Sequence, residues 1–217
     1  MSRVKSFSAP HKGLRSILSR FSFLAGKTNY HDPHQVELLQ NLGKEMFTLL
    51  NNHVHTENEY VLKPLEQKSK GASAHDLHDH EELEKVQDRL EDAMNSLDGS
   101  QNPDQGYRFY LEFTDFHSMY LAHIYHEETV TEKLLQENYT DIELNLRRME
   151  TMGRMPFDIL LLWFKYIIPA MNETESLTIF TQFRENAPRD VFEFVLEGIK
   201  SEIDEKSFNI LSSSLKA

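Results

Sequence analysis

Two histidine–glutamate pairs with the spacing His-x-x-x-Glu, His53/Glu57 and His123/Glu127, are the residues of this chain best suited to chemistry. A helix turns about 100° per residue, so positions i and i+4 project from one face. An imidazole and a carboxylate placed in this way can bind one metal ion and bridge to a second. Two such pairs on separate helices therefore predict a dinuclear metal site inside a helical bundle.

The composition limits which site can form. The 217 residues include eleven histidines and no cysteine, so we predict that any metal has only nitrogen and oxygen ligands. A net charge of −12 disfavours nucleic acid and anionic membranes as partners. We find no signal peptide, and the longest apolar run is shorter than the roughly 20 residues of a membrane span. The expected compartment is the cytoplasm.

Helix signals dominate the chain, which predicts an all-α protein. Asp32-Pro33 and Asn102-Pro103 resemble N-caps followed by a first-turn proline. We expect four helices, at about 10–25, 33–63 (ended by Pro64), 74–97 and 103–138, forming an antiparallel up-down-up-down four-helix bundle. Further helices should follow, so the predicted units are a metal-binding bundle (1–140) and a C-terminal extension (141–217) that packs on the bundle or on a partner.

Helical periodicity separates neighbouring histidines on the second helix. The positions one and two turns from His53 are apolar, and Tyr60 and Val61 should continue that face beyond Glu57. The positions around His55 are mostly asparagine and glutamate. We therefore predict that His53 and Glu57 are interior and that the competing pair His55/Glu59 is on the surface.

The same argument adds two more histidines. His11 shares a face with leucines and Phe21, and His80 shares a face with Leu77, Leu83 and Leu90. On the fourth helix, His123 and Glu127 continue a face expected to contain the residues Phe109, Phe113, Phe116, Met119, Tyr120, Val130 and Leu134. The remaining histidines, His31, His34, His75, His78, His117 and His126, are expected at the surface, with His126 a candidate for supporting a ligand.

The heights of His53, His80 and His123 agree to within about one helical turn when the helices alternate in direction. His11 matches this height less closely, because the link Gly26–His31 must absorb an offset. The predicted metal ligands are His11, His53, Glu57, His80, His123 and Glu127. The alternative is a hydrogen-bonded polar core, because a single buried histidine is more often a core residue than a ligand. Without metal, we expect the two glutamates to repel each other and raise each other's pKa.

Four segments together resemble the hemerythrin-type (HHE cation-binding) domain over residues 10–138. They are Pro10–Arg15, His53–Tyr60, Asp79–Leu83 and His123–Glu128. The resemblance implies two non-haem iron ions, with a carboxylate from each of the second and fourth helices bridging them. Manganese and zinc also suit nitrogen and oxygen ligands.

The chain departs from the oxygen-carrying members of that family at two points. Asp76 occupies the position of a fifth histidine, and the fourth helix has His-x-x-x-Glu where the carriers have His-x-x-x-x-Asp. The first functional hypothesis is a module that binds or senses iron and O₂, NO or peroxide, with Tyr60 and Tyr120 as hydrogen-bond or proton donors. The alternatives are a di-iron enzyme (a peroxidase or a factor repairing nitric-oxide or iron–sulfur damage) and an interaction module with a vestigial site. The C-terminal helices could also join two copies of the chain in a homodimer.

Overall fold

The regular structure of the chain is entirely helical, as predicted. The computed structural model describes residues 3–215, and that part of the chain contains nine helices and no strand. Among these helices, none combines the length and the apolar character needed to cross a bilayer. In chain order they are α1 (Ser8–Lys27), α2 (33–68), α3 (Ala74–Asn95), α4 (103–138), α5 (Asp141–Arg154), α6 (Phe157–Ile167), α7 (Glu173–Asn186), α8 (Arg189–Gly198) and α9 (Glu205–Ser214).

Helices α1 to α4 form the bundle. Each contacts two others in a closed ring, α1 with α2, α2 with α3, α3 with α4, and α4 with α1. Short links join consecutive helices, which makes neighbours antiparallel. The predicted N-caps are present: the Asp32 side chain accepts from the N–H groups of His34 and Gln35, and Asn102 forms a capping box with Gln105. Each cap is followed by proline at the first helical position.

Helices α2 and α4 each contain one π-helical turn, at Asn58–Leu62 and Glu127–Thr131. In the first, the N–H of Lys63 donates to the carbonyl of Asn58, five residues earlier, and Glu132 makes the equivalent bond in the second. A π turn inserts one residue into the helical repeat and often occurs at functional sites. Both turns lie immediately beside a predicted glutamate ligand.

The inserted residue moves the buried face of each helix by one position. Beyond Glu57 the buried residues are Leu62 and Leu65, whereas Tyr60 and Val61, predicted on that face, are only half-buried. The same displacement follows Glu127. There Thr131 and Leu135 are buried, and the predicted core residues Val130 and Leu134 are exposed and half-buried, respectively.

The prediction that Pro64 ends the second helix is wrong, because α2 continues to Lys68. A proline inside a helix lacks one N–H and collides with the carbonyl four residues earlier. Here the π turn ends at Leu62, two residues before Pro64, and its wider backbone spacing accommodates the ring. Two other core predictions, Leu77 on α3 and Met119 on α4, are also wrong, since both side chains are exposed.

Helix α6 of the C-terminal extension packs against the bundle. Trp163 and Tyr166 of α6 belong to the same apolar core as the residues of α1 to α4. The indole N–H of Trp163 donates to Asn52 (2.8 Å), and Lys165 forms an ion pair with Glu45 (2.8 Å). These contacts fix the C-terminal segment against α1 and α2.

Helices α6 to α9 share a second apolar core, which contains four phenylalanines of this segment: Phe164, Phe180, Phe183 and Phe192. Thus α6 has one face on the bundle core and another on the core of the extension. The extension packs on the bundle, which was one of the two predicted arrangements. The division of the chain at residue 140 stays a prediction.

Close contact between α1 and α6 requires glycine at position 13. A Cβ atom there would lie 2.9 Å from Cγ1 of Ile167 and 3.3 Å from its backbone nitrogen. We expect Gly13→Leu to lower the free energy of unfolding by about 1–3 kcal/mol, as overpacking does, measured by urea denaturation. The control Gly153→Ala, with nothing within 4 Å, should raise it by about 0.5–1 kcal/mol. A Gly13→Leu protein as stable as the wild type would contradict this packing.

Candidate metal centre

The predicted ligands converge in the core of the bundle. One comes from α1, one from α3, and a His-x-x-x-Glu pair from each of α2 and α4. All are buried, with 0–3% of their surface exposed: His11, His53, Glu57, His80, His123 and Glu127.

Their donor atoms form two groups that share both glutamates. In each group the donor atoms all lie within 4.8 Å of one another, so each group could hold one metal ion. Each also has two histidines of its own, which gives a nearly symmetric pair of sites. The groups are His11, His53, Glu57 and Glu127, and Glu57, His80, His123 and Glu127.

The distances between these atoms suit a shared cation better than direct hydrogen bonds. Nε2 of His11 is 3.3 Å from Oε2 of Glu127, Nε2 of His53 is 3.3 Å from Oε2 of Glu57, and Nε2 of His80 is 3.5 Å from the same oxygen. Within the described part of the chain, the Nε2 atoms of all four histidines and both oxygens of Glu127 have no hydrogen-bond partner. Buried polar atoms without partners are rare, and converging unpaired donors are what a metal site requires. The residues therefore fit the cation implied by their types.

Glu128 and Arg15 orient His11 from outside the centre. Nδ1 of His11 is 3.1 Å from Oε1 of Glu128, whose two oxygens accept from the Arg15 guanidinium at 2.7 and 2.8 Å. A carboxylate on Nδ1 leaves Nε2 free for a metal. Our sequence reasoning did not assign this role to either residue. Spacing gives a partial signal, since Arg15 is one turn from His11 on α1.

Asn58 orients His80 in a similar way. Its Oδ1 is 2.8 Å from Nδ1 of His80, and Asn58 is the first residue of the π turn in α2. Oδ2 of Asp79 lies 3.5 Å from Nδ1 of His123. The sequence analysis missed both contacts, because they join different helices and depend on how these helices pack.

Protonated histidines balance the buried carboxylates in the metal-free chain. Burial opposes protonation of His11 and His80, but the carboxylates of Glu57 and Glu127 outweigh it. They raise the pKa of His11 well above its ordinary value and that of His80 to about 10. Burial also opposes ionisation of Glu57, yet contact with these two imidazoles lowers its pKa to about 2. Our prediction of a raised pKa is therefore wrong for Glu57, because it omitted the two imidazolium charges.

The other two histidines have lowered pKa values. Burial is the main cause for both, and repulsion from the other imidazoles, His11 for His53 and His80 for His123, lowers them further. Neutral imidazole is the form that binds metal. Each group of donors thus contains one histidine that is already neutral and one whose proton a metal ion would displace.

Of the two predicted tyrosines, Tyr120 is the one beside the centre. It is fully buried, its ring centroid is 6.0 Å from that of His123, and its hydroxyl has no hydrogen-bond partner among residues 3–215. Burial raises the pKa of this hydroxyl well above 10, as do the charges of Glu57 and Glu127, so it remains a proton donor. Tyr60 is half-buried, with the Arg154 guanidinium 5.6 Å from its ring centroid.

Asp76 is a further buried acid close to the centre. Its Oδ2 accepts from the Thr131 hydroxyl (2.6 Å), and its Oδ1 lies 3.8 Å from Nε2 of His126. Burial raises the pKa of Asp76. It does not belong to either group of converging donors. The half-buried side chain of His126 contacts Asp76, so His126 lies outside the centre and supports this acid.

The predicted surface histidines are largely where expected. His55 and Glu59 are exposed, and Glu59 pairs with Lys63 instead. Exposed positions also hold four others: His31, His34, His75 and His78. His117 differs, because it is half-buried against Phe113, and this burial lowers its pKa.

The fold and this centre define a cation-binding helical protein. A family model described as the Hemerythrin HHE cation binding domain matches residues 3–135, more than half of the sequence, and the chain belongs to that family. Comparison with curated proteins and with solved structures gives no match. The resemblance stated from the sequence motifs is confirmed.

The protonated histidines predict how the stability of the metal-free protein depends on pH. His11 and His80 have raised pKa values, so the folded chain retains protons that the unfolded chain releases near pH 6.5. Their stabilisation is complete below that pH and is lost as the pH rises towards 10. In EDTA, we expect the free energy of unfolding to fall by about 1–2 kcal/mol per pH unit between pH 7 and 9.

Urea denaturation at several pH values measures this dependence. The variant His80→Gln should reduce the dependence of the free energy of unfolding on pH. The control His78→Gln, at an exposed position outside the centre, should preserve it. A free energy of unfolding that is constant across this interval would show that the two histidines are not protonated in the folded state.

Proposed function

We propose that this protein binds two non-haem iron ions and uses them to bind or sense a small ligand, dioxygen, nitric oxide or peroxide. The observation that carries the proposal is the pair of donor groups sharing Glu57 and Glu127. Glu57 and Glu127 would be shared by both ions, His11 and His53 would hold one of them, and His80 and His123 would hold the other.

The chemistry of the donors supports a transition metal. Four imidazoles and two carboxylates suit iron, manganese and zinc, and are less suited to calcium or magnesium, which prefer oxygen ligands alone. The metal-free charges also support it, because the raised pKa values of His11 and His80 mark places where positive charge is stabilised. Binding of two divalent ions displaces those protons, so affinity should increase with pH.

Two iron ions held by these six residues would supply the binding and redox chemistry of small diatomic molecules or peroxide. The chain surrounds the donor atoms with aromatic side chains. Phe7 stacks on the His11 ring (centroids 5.2 Å apart), and the buried Tyr120 ring lies 6.4 Å from the His53 ring and 6.0 Å from the His123 ring, centroid to centroid. The Tyr120 hydroxyl can donate a hydrogen bond to the ligand. Arg15, through Glu128, holds His11 in place.

The same tyrosine favours a second candidate function, a di-iron enzyme such as a peroxidase or a factor that handles nitric oxide. Tyr120 is a buried proton donor without a partner among the described residues, and proton delivery is what turnover of peroxide requires. Asp76, at the position where oxygen carriers have a histidine, also favours a role other than oxygen carriage. A vestigial site is disfavoured, because all six donors are present and buried. The homodimer through the C-terminal helices stays a prediction.

Metal content tests the ligand set. After anaerobic loading with Fe(II) and removal of free metal, we expect about two ions per chain, measured by plasma emission spectrometry. His53→Ala should remove at least one ion, since it deletes a buried donor. The matched control His55→Ala, two residues away and exposed, should retain both. Loss of metal from the His55 variant, or a wild-type content near zero, would be incompatible with the proposed centre.

Replacement of Tyr120 by phenylalanine tests the role of its hydroxyl. We expect unchanged metal content and about fivefold faster loss of nitric oxide from the reduced protein, because one hydrogen bond of about 1 kcal/mol is removed. Stopped-flow absorption spectroscopy measures the rate. The control variant, Tyr110→Phe, removes a tyrosine hydroxyl from the same helix at a position outside the centre. Equal release rates for wild type and Tyr120→Phe would assign the hydroxyl no contact with the ligand.

A further inference from the structure

An apolar cavity lies between the bundle and the C-terminal extension. Its volume is about 190 Å³, and α1, α2 and α4 of the bundle and α5, α6 and α7 of the extension form its walls. Most lining side chains are apolar, among them Phe7, Leu135, Met152 and Leu160. For comparison, a buried apolar cavity of about 150 Å³ holds benzene. The space is therefore sufficient for an organic ligand.

The wall of this cavity includes part of the candidate metal centre. His53 and Glu57 both line it, together with Thr56. Glu57 is the only acidic residue among the lining residues. A molecule in the cavity would thus share its surroundings between metal-binding side chains and apolar groups.

Two arginines of α5, Arg147 and Arg148, also line the cavity. Half-buried Arg148 donates from Nη2 to Asn145 (2.9 Å) and Gln182 (2.7 Å), which are both neutral. The Arg147 guanidinium lies 4.6 Å from the centroid of the Tyr139 ring. Within residues 3–215, no carboxylate lies within 4.0 Å of either guanidinium.

The charge of Arg148 is therefore partly removed from water without an anion to compensate it. Desolvation lowers its pKa, which reports the same imbalance. Burying a charge is unfavourable unless it is paired. Arg15 provides a contrast in the same molecule, because it binds both oxygens of Glu128. A carboxylate on a ligand would give Arg148 the corresponding partner.

We propose that the cavity binds a medium-chain carboxylic acid, with its carboxylate at Arg148 and its hydrocarbon chain among the apolar residues extending towards His53 and Glu57. Arg147 adds positive charge near the carboxylate. The placement follows from charge, since the two arginines supply positive charge without a carboxylate partner among residues 3–215. The proposal does not rest on the proposed metal function, because the cavity and both arginines belong to the metal-free fold.

Trp163 provides a direct reporter of occupancy. It is the single tryptophan of the chain, and it lines the cavity. Titration of the full-length protein in EDTA with sodium decanoate, below its micelle concentration, should change the emission of Trp163 with a saturable, micromolar Kd. Isothermal calorimetry on the same samples should give the same Kd. Decanol should bind more weakly, and decylamine should bind at least tenfold more weakly than decanoate.

Variants separate the carboxylate contact from the apolar contact. We expect Arg148→Gln to weaken decanoate binding about tenfold or more and to leave decanol binding unchanged. The control Arg108→Gln, on the exposed surface of α4, should bind both as the wild type does. Ile179→Phe, which fills part of the cavity from α7, should weaken decanoate and decanol together.

Several results would overturn the proposal. Absence of both an emission change and binding heat would show that the cavity does not accept such a molecule. Equal affinity for decanoate and decylamine in the wild type would remove the role of the arginines, and this comparison remains decisive even if Arg148→Gln does not fold. Decanoate affinity unchanged in a folded Arg148→Gln protein would likewise contradict it. Since EDTA is present throughout, failure here is distinguishable from failure of the metal proposal.

Discussion

The burial of two carboxylates, Glu57 and Glu127, in the core of the bundle is the constraint on which the rest of the structure depends. An unpaired buried carboxylate is strongly unfavourable, so the fold must place positive charge beside it. Four imidazoles, one from each helix, surround the two carboxylates, and the raised pKa values of His11 and His80 provide the positive charge when no metal is present. The four helices must therefore meet at one height. A metal ion held there would give the same compensation with charge that does not depend on those protons.

The π turns show how the backbone accommodates this centre. Each begins at or immediately after a glutamate of the centre, and each moves the next buried residue forward by one position. In α2 the turn places Asn58 against His80, and in α4 it places Thr131 against Asp76. Both contacts lie outside the group of donor atoms. The first orients His80, and the second holds the buried acid Asp76 close to the centre. The irregular hydrogen bonds of the two turns are thus coupled to the geometry of the site.

The C-terminal extension determines the environment of the centre on one side. Helix α6 is apolar on two faces, so it can pack on the bundle through Trp163 and on α7 and α8 through Phe164. This double packing covers the region next to His53, where a four-helix bundle alone would expose α1 and α2 to solvent. It also leaves space for the apolar cavity, which α5, α6 and α7 line together with the bundle.

The sequence by itself determined the helices, their caps and the six converging side chains, because helical periodicity is a local property that apolar spacing reports directly. It could distinguish His53 from His55 for the same reason. Periodicity failed beyond Glu57 and Glu127, where an inserted residue changes the repeat, and it therefore misplaced Tyr60 and Val130. Only the tertiary structure decided the pKa of Glu57 and the contacts of Arg15 and Arg148. These depend on charges and polar groups contributed by other helices, and no spacing within one helix encodes the distance between side chains on two of them.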